Sequence, residues 1–264
     1  MSHPNAQRTV IGHSVEGREI VLWETGTASR APRTLLIGGM HGDEFATIAL
    51  LESYLARERC PASVAILPLA NPDGFERRTR YNARGVDLNR NFEFNWRSDS
   101  IEPSGPGPWS EPESRALRDF ILEFRPAKIV SLHWALAEIE ADGHHSESLA
   151  EAMWNAMNAA QRVPYRLRVP EPGRGQRRLE RICVECPGSL GQWCGFMLEY
   201  PDGSLPAMVT LELPADPDAA RGEELRADHL EKLHERYRRD AEGYLRAVEP
   251  GVFALLDAAC LHRA

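Results

Sequence analysis

The chain has 264 residues, 42% hydrophobic and 27% charged, a balance that excludes intrinsic disorder and is enough for one sizeable core. Its formal net charge of −8 argues against a general nucleic-acid surface, because phosphate binding draws on an excess of Lys and Arg. No apolar run approaches the roughly 20 residues of a membrane span, "MSHPNAQRTVIGHS" lacks a basic-then-apolar leader, and five cysteines do not make a paired disulfide framework. The expectation is one domain over 1–264 in the cytoplasm, with neither nucleic acid nor membrane as partner.

In chain order, "VIGHSVEGREIVLWETG" reads as two short strands joined at Glu16-Gly17. "TLLIGG" is a brief apolar strand closed by glycines, and 43–58 carries Phe45, Ile48, Ala49, Leu51 and Leu55 at helical spacing. His41 and Glu44 therefore straddle a strand-to-helix turn, where ligand sites of α/β proteins form. "SVAILPLAN" (63–71) is a second buried strand ending in "NPDG", a strong turn sequence. From Phe75 to about Ser110 the chain is irregular, and its length marks a functional loop. Ser110 and Glu113 have capping-box spacing before a helix over 111–124. That helix feeds the strand "AKIVSLH", ending at His133. A helix around 145–161, a late strand "MVTLELP" (208–214) and a C-terminal outer helix with a solvated charged face (Leu225, Leu230, Leu233, Tyr237, Leu245) complete the pattern. Strands alternating with helices give an α/β/α sandwich on a mixed, mainly parallel sheet.

Two imidazoles and one carboxylate form a known ligand set for catalytic zinc. His41, Glu44 and His133 all stand at strand ends, although the His-x-x-Glu pair alone equally fits an acid in a helix first turn. Within 71–92, Arg80, Asn89 and Arg90 pack basic and amide groups densely, and Arg suits bidentate recognition of a carboxylate. Glu212, flanked by "VTL" and "LP", is costly to bury without purpose.

In this order "HGDE", "NPDG", "RGVDLNRNF", "SLH" and "TLELP" resemble the zinc metallocarboxypeptidases of the carboxypeptidase A type. "IGHSVEGREI" and "PWSEPES" extend the resemblance over most of the chain, and "ECPGSLGQW" followed by "VTLELP" resembles the murein peptide amidase A branch. That branch cleaves the γ-D-glutamyl–diaminopimelate bond of cell-wall peptides. The resemblance implies one zinc ion per chain held by His41, Glu44 and His133, with Asp87 hydrogen-bonding the first of these histidines. It implies Glu212 as general base, Arg80 as oxyanion donor, and Asn89 with Arg90 as the grip on a small peptide's free carboxylate. Glu185, Ser189 and Trp193 are candidates for the specificity pocket, Glu185 equally fitting a surface acid beside a turn. The segment where digestive relatives carry a tyrosine reads "CPGSLGQWCGF"; the next tyrosine is Tyr200, and Trp134 follows the third ligand position. Alternative readings are an N-acyl amino acid amidohydrolase of the aspartoacylase or succinylglutamate desuccinylase type, a general metallocarboxypeptidase, and a binding module without catalysis. Cys183 and Cys186 with Cys194 read as ordinary thiols, His144-His145 as an exposed turn, and "RGQRRLER" as a charged loop.

Overall fold

Glycine-closed apolar runs form the centre of a sheet because all their side chains are covered on both faces. The computed structural model describes residues 6–25, 33–57, 64–169, 186–217 and 235–263. Glu185, Cys183, the basic run 174–181 and most of the stripe over 223–234 lie outside the described residues.

Strands β1 (Ala6–His13) and β2 (Glu19–Thr25) pair antiparallel, and β2 pairs antiparallel with β4 (Val64–Leu67). Strand β3 (Thr34–Ile37) lies parallel between β4 and β5 (Lys128–Asp142). Strand β7 (Ala207–Pro214) follows β5 in register from Lys128↔Ala207 to Ala135↔Pro214. The register then reverses, from Glu138↔Glu212 to Asp142↔Met208, so β5 folds over the end of β7 and returns along its other side. The short β6 (Arg166–Arg168) pairs parallel with this return arm.

Alternate strand residues feed two cores. Leu36, Ile66, Val130 and Leu132 pack with helices α1 (Phe45–Leu55), α4 (Glu147–Ala156) and α6 (Ala241–Leu261). Leu35, Ile37, Leu67 and Ile129 pack with α3 (Pro112–Phe124) and α5 (Leu190–Phe196). The result is the expected α/β/α arrangement on a mixed sheet. The carboxyl ends of β3 and β7 and the middle of β5 converge on one side of it.

Three expectations change in detail. The strand through His133 does not end there, since β5 runs on to Asp142. The "NPDG" turn opens a short helix, α2 (Pro72–Arg77), that runs into the segment expected to be irregular, and a 3₁₀ turn stands within that segment at Leu88–Arg90. The capping box is absent: the N-cap of α3 is Glu111, because Pro112 takes the first helical position. The Ser110 hydroxyl accepts from Asn91 Nδ2 and donates to Glu111 Oε1 (2.8 Å each), while Glu113 accepts from the Val15 backbone N–H (3.0 Å) and Asn82. The stripe of the expected C-terminal outer helix lies mostly outside the described residues; the described helix α6 begins at Ala241 and packs one face on the sheet, with Glu242 and Arg246 exposed on the other. Tyr244, Val248, Val252, Leu255, Leu256 and Ala259 of α6 are buried, and the fully buried Lys128 donates from Nζ to the carbonyls of Cys260 (2.9 Å) and His262 (2.7 Å), tying the helix end to β5.

Candidate active site

The turn that carries His41 is shaped by backbone contact. Gly42 packs so closely on the start of the α2 segment that an added Cβ would lie 2.0 Å from the Gly74 carbonyl carbon and 2.2 Å from the Phe75 nitrogen. The "HGDE" and "NPDG" motifs are thus two halves of one contact. Asn71 completes it, its side-chain oxygen capping α2 through the Gly74 N–H (2.9 Å) and its amide reaching the Met40 (3.4 Å) and Arg80 (3.3 Å) carbonyls.

His41, Glu44 and His133 are all buried and bring one ligand atom each within 4.8 Å of one another. His41 Nδ1 lies 2.7 Å from Glu44 Oε1 and 3.3 Å from His133 Nδ1. Asp87 Oδ1 sits 3.1 Å from His41 Nε2, and Ser131 Oγ sits 3.1 Å from His133 Nε2. Each outer nitrogen being engaged, both Nδ1 atoms face the common centre. Glu44 Oε2 lies 3.4 Å from His133 Nδ1, buried and without a hydrogen bond. A buried anionic oxygen left over, facing two convergent imidazole nitrogens, fits a cation at that point, and the donor set fits zinc.

Charge follows from the same geometry. Burial works against an imidazolium, yet the carboxylates of Glu44 and Asp87 raise His41 to about 9. Burial lowers His133, the Glu44 charge opposing it only in part. Burial pushes the Glu44 carboxyl up, but His41 and His133 outweigh it and hold it low. Without a metal the cluster therefore carries a proton on His41, which a cation taking that nitrogen must release.

Arg80 is half-buried and forks onto Asp87, with Nε (2.9 Å) and Nη2 (2.8 Å) both on Oδ2, while Nη1 lies 3.3 Å from His41 Nδ1. Asp87 also accepts from the Asn89 backbone N–H (2.8 Å), which places Asn89 and Arg90 on the 3₁₀ turn. The Asn89 side-chain oxygen accepts from the Leu190 N–H (2.9 Å), so its amide is oriented with the NH2 outward. Arg90 donates to its neighbour's carbonyl (2.7 Å), and its other terminal nitrogen lies 3.9 Å from Cys186 Sγ. Gly188, at φ +72°, allows this approach, because a Cβ there would meet the Arg90 carbonyl oxygen at 2.5 Å.

Glu212 is half-buried on β7, directly across from His133 on β5. Burial, then the negative charge of Glu44, pushes its carboxyl up to about 8. The remaining named residues lie around this centre or outside it. Ser189 caps α5, its hydroxyl accepting from Gln192 N–H (3.2 Å), and Trp193 is buried against Trp109 (ring centroids 5.0 Å apart) and Phe92 (6.0 Å). Tyr200 is buried with its hydroxyl on the Pro126 carbonyl (2.9 Å). Trp134 packs edge-on against Phe45 and bonds the Pro214 carbonyl (3.0 Å). Cys186 lies beside Arg90, Cys194 is buried, and Cys260 Sγ lies 3.7 Å from the Tyr54 hydroxyl, and His145 is exposed on a short 3₁₀ turn.

Sequence reasoning passed over three buried amides that hold the loops in place. Asn91 donates to Ser104 and Gly107 carbonyls and Ser110 Oγ, and accepts from Glu111 N–H and Ser114 Oγ. Asn82 bonds Glu111 (2.8 Å), Glu113 (3.3 Å) and the backbone of Arg84 and Val86, clamping the loop between Arg80 and Asp87. With Asn71 they explain why the irregular segment is ordered. Their signal was an Asn inside or beside each motif, in "NPDG", "YN" and "NRNF".

Comparison with known proteins finds relatives in both sequence and fold. Murein peptide amidase A of Escherichia coli K12 is 33% identical over 217 residues, covering 74% of this chain and 81% of the relative. Murein peptide amidase A of Vibrio campbellii is 32% identical over 223 residues, covering 78% and 79%. Among solved structures, murein-tripeptide amidase MpaA from Escherichia coli O157 superposes with a TM-score of 0.62 at 25% identity, covering 97% of this chain and 93% of its own. Carboxypeptidase A from Helicoverpa armigera gives 0.65 at 20% identity, covering 97% and 69%, a likeness of fold. The family described as zinc carboxypeptidase matches residues 1–169, well over half of the sequence, and this chain belongs to it.

Proposed function

We propose that this chain is a zinc-dependent amidase that hydrolyses the γ-D-glutamyl–meso-diaminopimelate bond of murein peptides, with one zinc ion per chain. The observation that carries the reading is the convergence of two oriented imidazole nitrogens and an unbonded carboxylate oxygen on one point, with Glu212 directly across from His133 on the neighbouring strand. The similarity to murein peptide amidases over most of both chains supports the substrate class.

His41, Glu44 and His133 hold the metal. Asp87 fixes the His41 ring and so keeps Nδ1 free to ligate. Bound zinc supplies Lewis acidity and lowers the pKa of water. Glu212 takes the attacking water's proton on its carboxylate and gives it to the leaving amine nitrogen. Without a metal, burial and the Glu44 charge push this carboxyl up; a bound cation opposes that rise and leaves the carboxylate to act as base. Arg80, anchored through Nε and Nη2 on Asp87, presents Nη1 to the oxygen on which charge develops. Asn89 and Arg90 bind the free carboxylate of the diaminopimelate moiety, Asn89 through the NH2 that its Leu190 contact leaves outward. Ser189 and Trp193 support that grip from behind by fixing α5.

We place the reaction in the cytoplasm. The odd number of cysteines, five in the sequence, gives no paired disulfide framework and suits a reducing compartment. Glu212→Gln tests the role assignment: turnover falls by about 10²–10⁴ while zinc content stays at one per chain. Turnover near wild type would remove Glu212 from the mechanism.

A further inference from the structure

The fold-over of β5 has no part in holding metal or carboxylate, yet it stands over the general base. After Ala135↔Pro214 the chain crosses the end of β7, and Leu136 still faces Pro214 before Glu138 falls opposite Glu212 on the return arm. The crossing is made by Ala137 at φ +54°, a left-handed conformation unusual for a residue with a Cβ. The Leu136 side chain is 59% exposed, so side-chain packing does not anchor the turn. Its backbone N–H instead points at Glu212 Oε2 (3.5 Å), the one hydrogen bond to that carboxyl among the described residues. Glu138, placed across from Glu212, has its own carboxylate taken up by Arg168 Nη1 (2.7 Å), which offsets the like charge opposite the base.

We infer that the Leu136–Ala137 reversal positions Glu212: the left-handed Ala137 aims the Leu136 N–H at the carboxylate and holds it in line for proton transfer. Leu136 and Ala137 are positioning residues, acting through Glu212, and the inference rests on Glu212 being the base of the proposed reaction. A 3.5 Å contact is long for the resting enzyme, and such contacts tighten when substrate closes the site.

The direct test replaces the Leu136 amide by an ester, with the α-hydroxy acid introduced by nonsense suppression, which removes the N–H and leaves the side chain in place. The expected result is a kcat lower by about tenfold or more, from loss of a hydrogen bond to a charged group. KM should stay within roughly twofold and zinc content should be unchanged. A kcat equal to wild type, or a loss confined to KM, overturns the inference. Ala137→Val and Ala137→Gly form a second pair. Valine resists the left-handed conformation and should lower kcat, whereas glycine accepts it and should restore most of the rate. Arg125→Val is the matched control: Arg125 is also left-handed (φ +48°) but closes α3 near the opposite end of β5. It should lower Tm similarly and leave kcat alone. Equal kcat losses at 125 and 137 would reduce the turn to a structural element.

Crystal structures separate this inference from the reaction itself. The Glu212 carboxylate should move by about 1 Å, enough to disturb catalysis, in the valine variant and stay in place in the glycine variant. An unmoved carboxylate overturns the inference. A wild type that turns over neither γ-linked nor α-linked peptides removes the proposed function, and the positioning claim is then decided by those coordinates.

Discussion

Replacing Asp87 with asparagine changes one atom and should damage two functions at once. Every partner of this fully buried carboxylate is a donor: His41 Nε2 and the Asn89 N–H on Oδ1, and Arg80 Nε and Nη2 on Oδ2. Burial alone would push the Asp87 carboxyl up, but His41, Arg80 and Arg90 hold it well below the ordinary range. An asparagine must turn its NH2 toward one of these two donor sets, whichever way the amide is flipped. If it faces Arg80, two hydrogen bonds to a charged group are lost, each worth about 1.5–3 kcal/mol. If it faces His41, the ring loses the acceptor that orients it, which in comparable sites costs about 10–100-fold in metal affinity. A displaced oxyanion donor costs about 10²–10³ in rate. The assay has two arms: zinc competition against a chromophoric chelator, and kcat/KM on the γ-linked tripeptide with zinc saturating. Zinc affinity within roughly twofold of wild type together with an unchanged kcat/KM would refute the claim that Asp87 organises both groups.

Three further outcomes follow from the same contacts. Arg90→Ala should raise KM by about tenfold or more for a substrate with a free carboxylate, the worth of one charge-assisted hydrogen bond, and leave its amidated analogue unaffected; equal effects on both would refute the grip. Gly42→Ala puts a Cβ into the Gly74–Phe75 backbone, a clash worth about 1–3 kcal/mol, so calorimetry should show Tm lower by about 3–10 °C. Although burial opposes it, the Ser14 hydroxyl, Arg18 and the Glu16 N–H hold the Asp73 carboxyl below its ordinary 3.8. A depressed carboxyl contributes stability that is fully present above that value and lost as pH falls through the lower folded one. Urea unfolding should therefore show Asp73→Asn less stable than wild type at neutral pH, with the gap closing below about pH 4; a pH-independent gap would refute that assignment.

The sequence made the strand-end chemistry readable and left the supports hidden. His41, Glu44, His133, Arg80, Asp87, Asn89, Arg90 and Glu212 all meet at one place, because motif spacing in an α/β chain fixes which loops share the carboxyl edge. The return arm of β5 was missed although "AEIEAD" alternates with period two; the charged residues at 138, 140 and 142 masked a strand whose other face, Ile139 and Ala141, is core. Helix α6 carries Pro250 inside it, with buried residues on both sides of the proline, and extends well beyond the stripe that the sequence reading picked out. The capping box failed through competition, both of its side chains being claimed by Asn91, Asn82 and the Val15 backbone. Contacts of that kind join residues far apart in sequence, and no local pattern announces them.

The most direct test of the central claim is release of free diaminopimelate from L-Ala-γ-D-Glu-meso-diaminopimelate by the zinc-loaded enzyme, with and without a chelator. The account predicts release that stops on chelation and returns with added zinc. No release by a zinc-loaded enzyme, alongside cleavage of α-linked dipeptides or N-acyl amino acids, would contradict it.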